Sequence, residues 1–252
     1  MNLFSVSGKT GLVVGGTRGI GRAISWRLAE AGAHVIASYV RDEQSASRLT
    51  EDARREQLSM EVVRADVTSP KGIERLVSTA TGAAKPLSIL VFAAATGVHK
   101  SLDELSTRHF DWTFGLNVRA FFELVHQLSP HMPSGSSIVA ISSEGAVRAV
   151  AKYSMVGASK GALESLARHM AAELGPKGIR VNVLSPGTVL TDAWKVLPDA
   201  EARLADASRR SLLDRLTTAE EVAWAAQFLC SDAAAGVVGH TLVVDGGARI
   251  RG

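Results

Sequence analysis

The sequence predicts an α/β fold, a doubly wound parallel sheet of about seven strands with helices on both faces, in a single domain. Three observations lead there. Short runs that are apolar at nearly every residue alternate with longer amphipathic stretches along the 252 residues, and strands buried on both faces by right-handed helical crossovers read this way. The first apolar run opens directly into a glycine-rich turn. No repeat, low-complexity tract or linker breaks the alternation, so residues 1–252 are read as one domain.

The elements follow in order. Thr10 to Gly15 reads as a short buried strand, and Ile20 to Ala31 as a helix with Ile24, Leu28 and Ala31 on one face. Ala33 to Tyr39 is the second strand, Asp42 to Gln57 a charged amphipathic helix, and Met60 to Arg64 the third strand. Further strands are expected at Leu87 to Phe92, Ser137 to Ser142, Arg180 to Leu184 and Thr241 to Val244. Helices fill the gaps at Pro70 to Thr81, Phe110 to His131, Tyr153 to Leu174 and Thr218 to Cys230. The least regular stretch, 186–211, follows a strand end. Ligands of such sheets bind beyond the carboxyl ends of the strands, so this stretch is expected to form a substrate lid.

Composition narrows the class. With 46% hydrophobic and 21% charged residues the chain is neither disordered nor fibrous. A net charge of +3 without a long basic run argues against nucleic acid and suits a small anionic ligand. Cys230 is the only cysteine, which excludes an intrachain disulfide and a cysteine metal cluster and suits a reducing compartment. Met1 to Lys9 lacks a basic segment followed by an apolar run, and no stretch approaches the roughly 20 apolar residues of a bilayer span. The cytoplasm is the expected location, with no membrane, nucleic-acid or metal partner.

Chemistry enters at Gly15-Gly16-Thr17-Arg18-Gly19-Ile20-Gly21, between the first strand and the first helix. Glycines let the backbone turn tightly and approach a pyrophosphate, which rests on the unpaired N–H groups of the helix N-terminus. Glycines alone are a weak signal, and the strand-turn-helix context is what makes this a dinucleotide site. An acid that would bond the adenosine ribose is expected roughly 20 residues on. The chain has Ser38-Tyr39-Val40-Arg41 there instead. Arg41 and Arg18 can pair with a 2′-phosphate, which favours NADPH over NADH, although Asp42 beside them argues the other way.

With that turn in place the whole chain resembles the short-chain dehydrogenase/reductase superfamily. The markers are Asp66-Val67 after the third strand, Asn117 in Asn-Val-Arg-Ala-Phe, and Ser142-Ser143 at the fifth strand's end. Ser185-Pro186-Gly187 with Thr188 and Thr191 follows the sixth strand, and Val244-Asp245-Gly246-Gly247 comes near the C-terminus. The resemblance implies a Rossmann-type fold in which Asp66 and Val67 meet the adenine, and Ala94 passes its backbone over the cofactor. Pro186, Gly187, Thr188 and Thr191 would hold the nicotinamide amide, and Lys160 the nicotinamide ribose. It also implies a homodimer or homotetramer formed through the long helices. The competing account is that Leu124, Val125 and Leu128 are all core within one subunit.

Two departures stand out. The family's Asn-Asn-Ala-Gly is replaced by Phe92-Ala93-Ala94-Ala95, so the side-chain hydrogen bonds that brace the central strands must be lost or made elsewhere. The family's catalytic Tyr lies four residues before Lys160, where this chain has Val156, and the nearest Tyr is Tyr153, seven residues before. Seven residues are close to two helical turns, so Tyr153 keeps the face of Lys160 but stands ~4.5 Å further along the axis. In carbonyl reduction the proton goes to the oxygen of the carbon that takes hydride. In reduction of an enoyl thioester, charge develops on the thioester oxygen, bonds away from the hydride acceptor, and a more distant donor suits it.

The Tyr-x6-Lys spacing is similar to that of enoyl-acyl carrier protein reductases, most of all type III, given His109-Phe110-Asp111-Trp112-Thr113 and Tyr153-Ser154-Met155-Val156-Gly157. On that resemblance the catalytic set is Tyr153, Lys160, Ser143 and Asn117. Tyr153 hydrogen-bonds the thioester oxygen, and Lys160 as a cation favours an ionisable Tyr nearby. Ser143 has the family's spacing of thirteen from position 156, but the Tyr it would serve is absent there. Asn117 either bonds a backbone carbonyl and a water leading to Lys160 or kinks its helix. Glu144 is assigned no role, and His99 and His109 are too isolated to read as ligands or bases. Three readings follow: an NADPH-dependent reductase of enoyl thioesters carried on acyl carrier protein or CoA, a carbonyl reductase of the same fold, or a non-catalytic dinucleotide-binding scaffold.

Overall fold

The computed structural model describes residues 2–191 and 200–251. Seven parallel strands form one sheet in the order β3-β2-β1-β4-β5-β6-β7. They are β1 (Thr10–Val14), β2 (His34–Tyr39), β3 (Met60–Arg64), β4 (Leu87–Phe92), β5 (Ser137–Ile141), β6 (Arg180–Pro186) and β7 (Thr241–Val244). The helices are α1 (Gly19–Glu30), α2 (Glu43–Arg55), α3 (Pro70–Thr81), α4 (Thr107–Phe114), α5 (Phe121–Leu128), α6 (Ser154–Leu174), α7 (Ala200–Arg210) and α8 (Ala219–Cys230).

Alternate residues of each strand serve opposite faces, which is why the strands read as continuous apolar runs. Leu12, Leu90, Phe92 and Ile138 pack on one side with Leu76 of α3, Leu124 of α5 and Leu163 of α6. Val13, Ile89, Val91 and Val139 pack on the other with Ile24 and Leu28 of α1 and Val222 and Leu229 of α8. The chain reverses direction across the sheet between β1 and β4, and a crevice outside the strand ends opens at such a point.

Three expectations are corrected. The helix read over Phe110 to His131 starts earlier, at Thr107, and a π-helical turn at Gly115–Ala120 interrupts it; Asn117 lies in that turn, facing the loop after β4. Tyr153 is the residue before α6 rather than part of it, with φ −121° and ψ 12°. The irregular stretch expected at 186–211 begins as the end of β6 and contains α7, while the part of that lid at 192–199 lies outside the described residues. Leu124, Val125 and Leu128 are buried core within the chain. Among the described residues no helix is long and apolar enough to cross a membrane.

Candidate active site

The cofactor end is built from backbone. Gly15 (φ +76°) and Gly19 (φ +52°) turn the chain through the left-handed region that side chains disfavour. A Cβ on Gly15 would lie 2.9 Å from the backbone of Ala94, and one on Gly21 would lie 2.0 Å from the Gly15 carbonyl oxygen. The turn is pinned to β2, since the Gly16 N–H donates to the Ser38 carbonyl at 2.9 Å. Ser25 Oγ donates to the Gly16 carbonyl at 2.9 Å, and Thr17 is buried beneath. Arg18 precedes α1 without a capping bond and the first turn holds no acid, whereas Asp42, Ser69 and Thr218 cap α2, α3 and α8. The first N–H groups of α1, around Ile20 and Gly21, therefore suit an incoming anion.

The remaining predicted cofactor contacts lie at or just beyond the carboxyl ends of β2, β3, β4 and β6. A Cβ on Gly19 would meet Thr191 at 3.4 Å, so the segment leaving β6 passes over the glycines. Gly187 donates its N–H to the Val244 carbonyl at 2.9 Å, tying Pro186 and Gly187 to β7, and Thr188 lines a small cavity with Glu144 and Arg210. Tyr39 ends β2 beside Arg64 of β3. Asp42 accepts from Ser45 N–H at 2.9 Å and from its hydroxyl at 2.8 Å. These bonds, with Arg18 nearby, hold its carboxyl below the usual range. That carboxylate is committed to capping α2, while Arg18 and Arg41 are exposed. Asp66 is exposed after β3 and accepts from the Thr68 N–H and hydroxyl, and Val67 is buried.

The other end is assembled from side chains of distant segments. Tyr153 Oη donates to Ser143 Oγ at 3.3 Å, and Lys160 Nζ donates to the Ile141 carbonyl at 2.8 Å. Both groups thus terminate on the carboxyl end of β5, two residues apart. Gly145 is needed here, because a Cβ on it would lie 2.5 Å from the Tyr153 ring. Val156 fills the place of the usual Tyr and packs over Gly97, where a Cβ would come within 2.1 Å of its methyl. Burial lifts the Tyr153 phenol above its ordinary range, against the Ser143 hydrogen bond and with Glu144 adding to the rise. The expectation that Lys160 makes this Tyr more ionisable is therefore corrected: the phenol holds its proton and serves as a donor. Lys160 is itself fully buried, and desolvation pulls it down to about 8 although Glu164 opposes the shift.

Asn117 holds the loop that follows Phe92-Ala93-Ala94-Ala95. Its Oδ1 accepts from the Thr96 N–H, and its Nδ2 donates to the Thr96 carbonyl and to Ser159 Oγ, each at 2.9 Å. One amide in the π turn braces the loop after β4 and fastens it to α6 beside Lys160. The structure thus joins Tyr153, Ser143, Lys160 and Asn117 around β4, β5 and α6. It also adds residues that sequence reasoning left out. Glu164, one turn beyond Lys160, accepts from Ser142 Oγ at 2.6 Å. Glu144 Oε2 lies 3.5 Å from both Arg148 and Arg210, clasping α7 to the loop after β5. The His99 ring meets the Tyr153 ring edge-on at 5.2 Å between centroids. Only the i, i+4 spacing of Lys160 and Glu164 could have been noticed beforehand. His109 is local, its ring nitrogen accepting from the Ser106 N–H ahead of α4.

Residues 14–249 match the family model described as Enoyl-(Acyl carrier protein) reductase. The chain belongs to this family, within the short-chain dehydrogenase/reductase superfamily, and is an NAD(P)-dependent oxidoreductase acting on small molecules. It is 33% identical to the 1-cyclohexenylcarbonyl-CoA reductase of Streptomyces collinus over 95% of this chain and 86% of that one. It is also 33% identical to the 7alpha-hydroxysteroid dehydrogenase of Escherichia coli K12, over 96% and 94%. A short chain dehydrogenase from Burkholderia cenocepacia in complex with NADP superposes with a TM-score of 0.89 at 32% identity, covering 97% and 99%.

Proposed function

We propose that this enzyme reduces the carbon–carbon double bond of an enoyl thioester with NADPH. One observation carries the reading: the only tyrosine that reaches the end of β5 is Tyr153, with Val156 closing the usual position. When bound, the reduced nicotinamide supplies hydride to the β-carbon. The chain's own residues then manage charge and position. Tyr153, kept protonated by burial, hydrogen-bonds the thioester oxygen, Ser143 orients its hydroxyl, and the resulting enolate takes a proton from solvent at its α-carbon to complete the reduction. Lys160, Asn117 and the loop after β4 hold the nicotinamide ribose side, and Arg18 and Arg41 receive the 2′-phosphate that distinguishes NADPH. The carrier is CoA or acyl carrier protein, and the likeness to a CoA-thioester reductase supports the substrate class. The exposed rings of Phe110, Trp112 and Phe122 on α4 and α5 support a homodimer or homotetramer, and we place the enzyme in the cytoplasm.

A second reading is reduction of a ketone. It is favoured by the Tyr153–Ser143 contact, since two hydroxyls in contact can both donate to one carbonyl oxygen, and by the likeness to a hydroxysteroid dehydrogenase. Loss of NADPH absorbance with crotonyl-CoA but not acetoacetyl-CoA is the expected result. Tyr153→Phe should then lower kcat by about 10²–10³, the cost of one oxyanion donor, with NADPH affinity unchanged. Oxidation with acetoacetyl-CoA alone would establish the ketone reading.

A further inference from the structure

Four buried side-chain polar atoms lack a hydrogen-bond partner among the described residues: His99 Nδ1, Thr113 Oγ1, Arg180 Nη1 and Arg249 Nε. Of these only His99 belongs to a residue in ring contact with Tyr153. A buried nitrogen that has surrendered water without gaining a partner is costly, and such groups in native proteins call for an explanation. The position of His99 supplies one. It lies three residues after Thr96, which the Asn117 amide holds, and its ring stands edge-on to Tyr153 at 61°.

We propose that His99 is a second substrate-contacting residue, its Nδ1 sharing with the Tyr153 hydroxyl the oxygen of the bound acyl group. This deepens the reductase reading and rests on it for the identity of that oxygen. The chemistry is consistent on each count. Burial, with Arg203 of α7 nearby, keeps the imidazole below its ordinary pKa and so neutral. A neutral imidazole carries one N–H, and in the Nδ1–H tautomer the unpartnered Nδ1 is a donor on a ring that packs edge-on against Tyr153. Two donors from separate segments, fixed before substrate arrives, stabilise developing negative charge without reorganising. Sequence spacing could not reveal this, because positions 99 and 153 are joined only by the fold.

Two variants of the full-length enzyme test the assignment. His99→Leu keeps an apolar body against the Tyr153 ring and removes both nitrogens, whereas His99→Asn returns an amide close to the position of Nδ1. With NADPH and crotonyl-CoA, His99→Leu should lose about tenfold to a hundredfold in kcat, short of the largest effects of removing an oxyanion donor. NADPH affinity, read by fluorescence, should be unchanged, and His99→Asn should recover most of the rate. Full activity in His99→Leu, or an equal loss in both variants, overturns the proposal. If only acetoacetyl-CoA is turned over, the enoyl reading falls, and the same comparison on that substrate still decides His99. If neither compound oxidises NADPH, calorimetric binding of crotonyl-CoA to the NADPH-loaded protein decides it. Weaker binding in His99→Leu restored in His99→Asn supports the role; equal binding by all three proteins, or none by the unsubstituted enzyme, overturns it.

Discussion

The two ends of the crevice are built differently. At the dinucleotide end, seven consecutive residues, Gly15 to Gly21, form the turn from backbone alone, and its neighbours mainly pin it in place. At the chemical end, His99, Asn117, Ser143, Tyr153 and Lys160 come from four separate segments: the Tyr153 side chain meets those of Ser143 and His99, Lys160 bonds the end of β5 and Asn117 bonds Ser159 beside Lys160. A contiguous backbone device tolerates change around it but not within it. An assembled one can move a functional group along the chain, as the shift from position 156 to Tyr153 shows, provided the neighbouring loops make room. Gly97 under Val156 and Gly145 under Tyr153 make that room here.

The sharpest way to break the comparison is at Gly21. Gly21→Val would force a side chain into the Gly15 carbonyl, and strain of about 3 kcal/mol alone would weaken NADPH binding by more than about a hundredfold. Fluorescence titration checks this, and retained affinity would show that the turn can yield.

The buried ammonium of Lys160 gives the next largest effect. Its pKa falls from 10.5 to about 8 in the folded protein. Below pH 8 folded and unfolded chains both carry the proton, and the folded one bears the full desolvation penalty. Between pH 8 and 10.5 the unfolded chain binds more protons, so the stability of the cofactor-free protein rises with pH relative to Lys160→Met, by about 3 kcal/mol at most. Urea midpoints measured from pH 7 to 10 test it, and parallel profiles for the two proteins would refute it.

Asn117 lies between the two ends and should show the smallest change. Asn117→Ala strands the Thr96 N–H and carbonyl and should destabilise by about 2 kcal/mol, lowering the Tm by several degrees at the roughly 2–4 °C per kcal/mol of a domain this size. Asn117→Asp keeps the acceptor and loses the donor, and should reveal whether the Ser159 bond or the Thr96 bonds matter more for kcat.

Much was legible beforehand where information is local. Strands apolar on every residue announced a sheet covered on both faces, and the ends of most elements follow the sequence to within a residue or two. The failures have physical causes. Periodicity carried a single helix across Phe110 to His131 because a π turn preserves helical burial while adding a residue to the ring. Ser143 was left in doubt because its partner was sought at position 156, although Tyr153, just outside α6, reaches it.

By itself the sequence determined the layered architecture, the glycine turn, the α-helix carrying Lys160 and the absence of an acid at the end of β2. Those depend on patterns within one element, where spacing maps directly onto geometry. Only the tertiary structure decided that Tyr153 meets Ser143, that Asn117 braces the loop after β4, that Glu144 holds α7 and that the His99 ring packs against that of Tyr153. Such contacts join residues far apart in the chain, and packing in three dimensions, rather than spacing along it, sets which side chains touch.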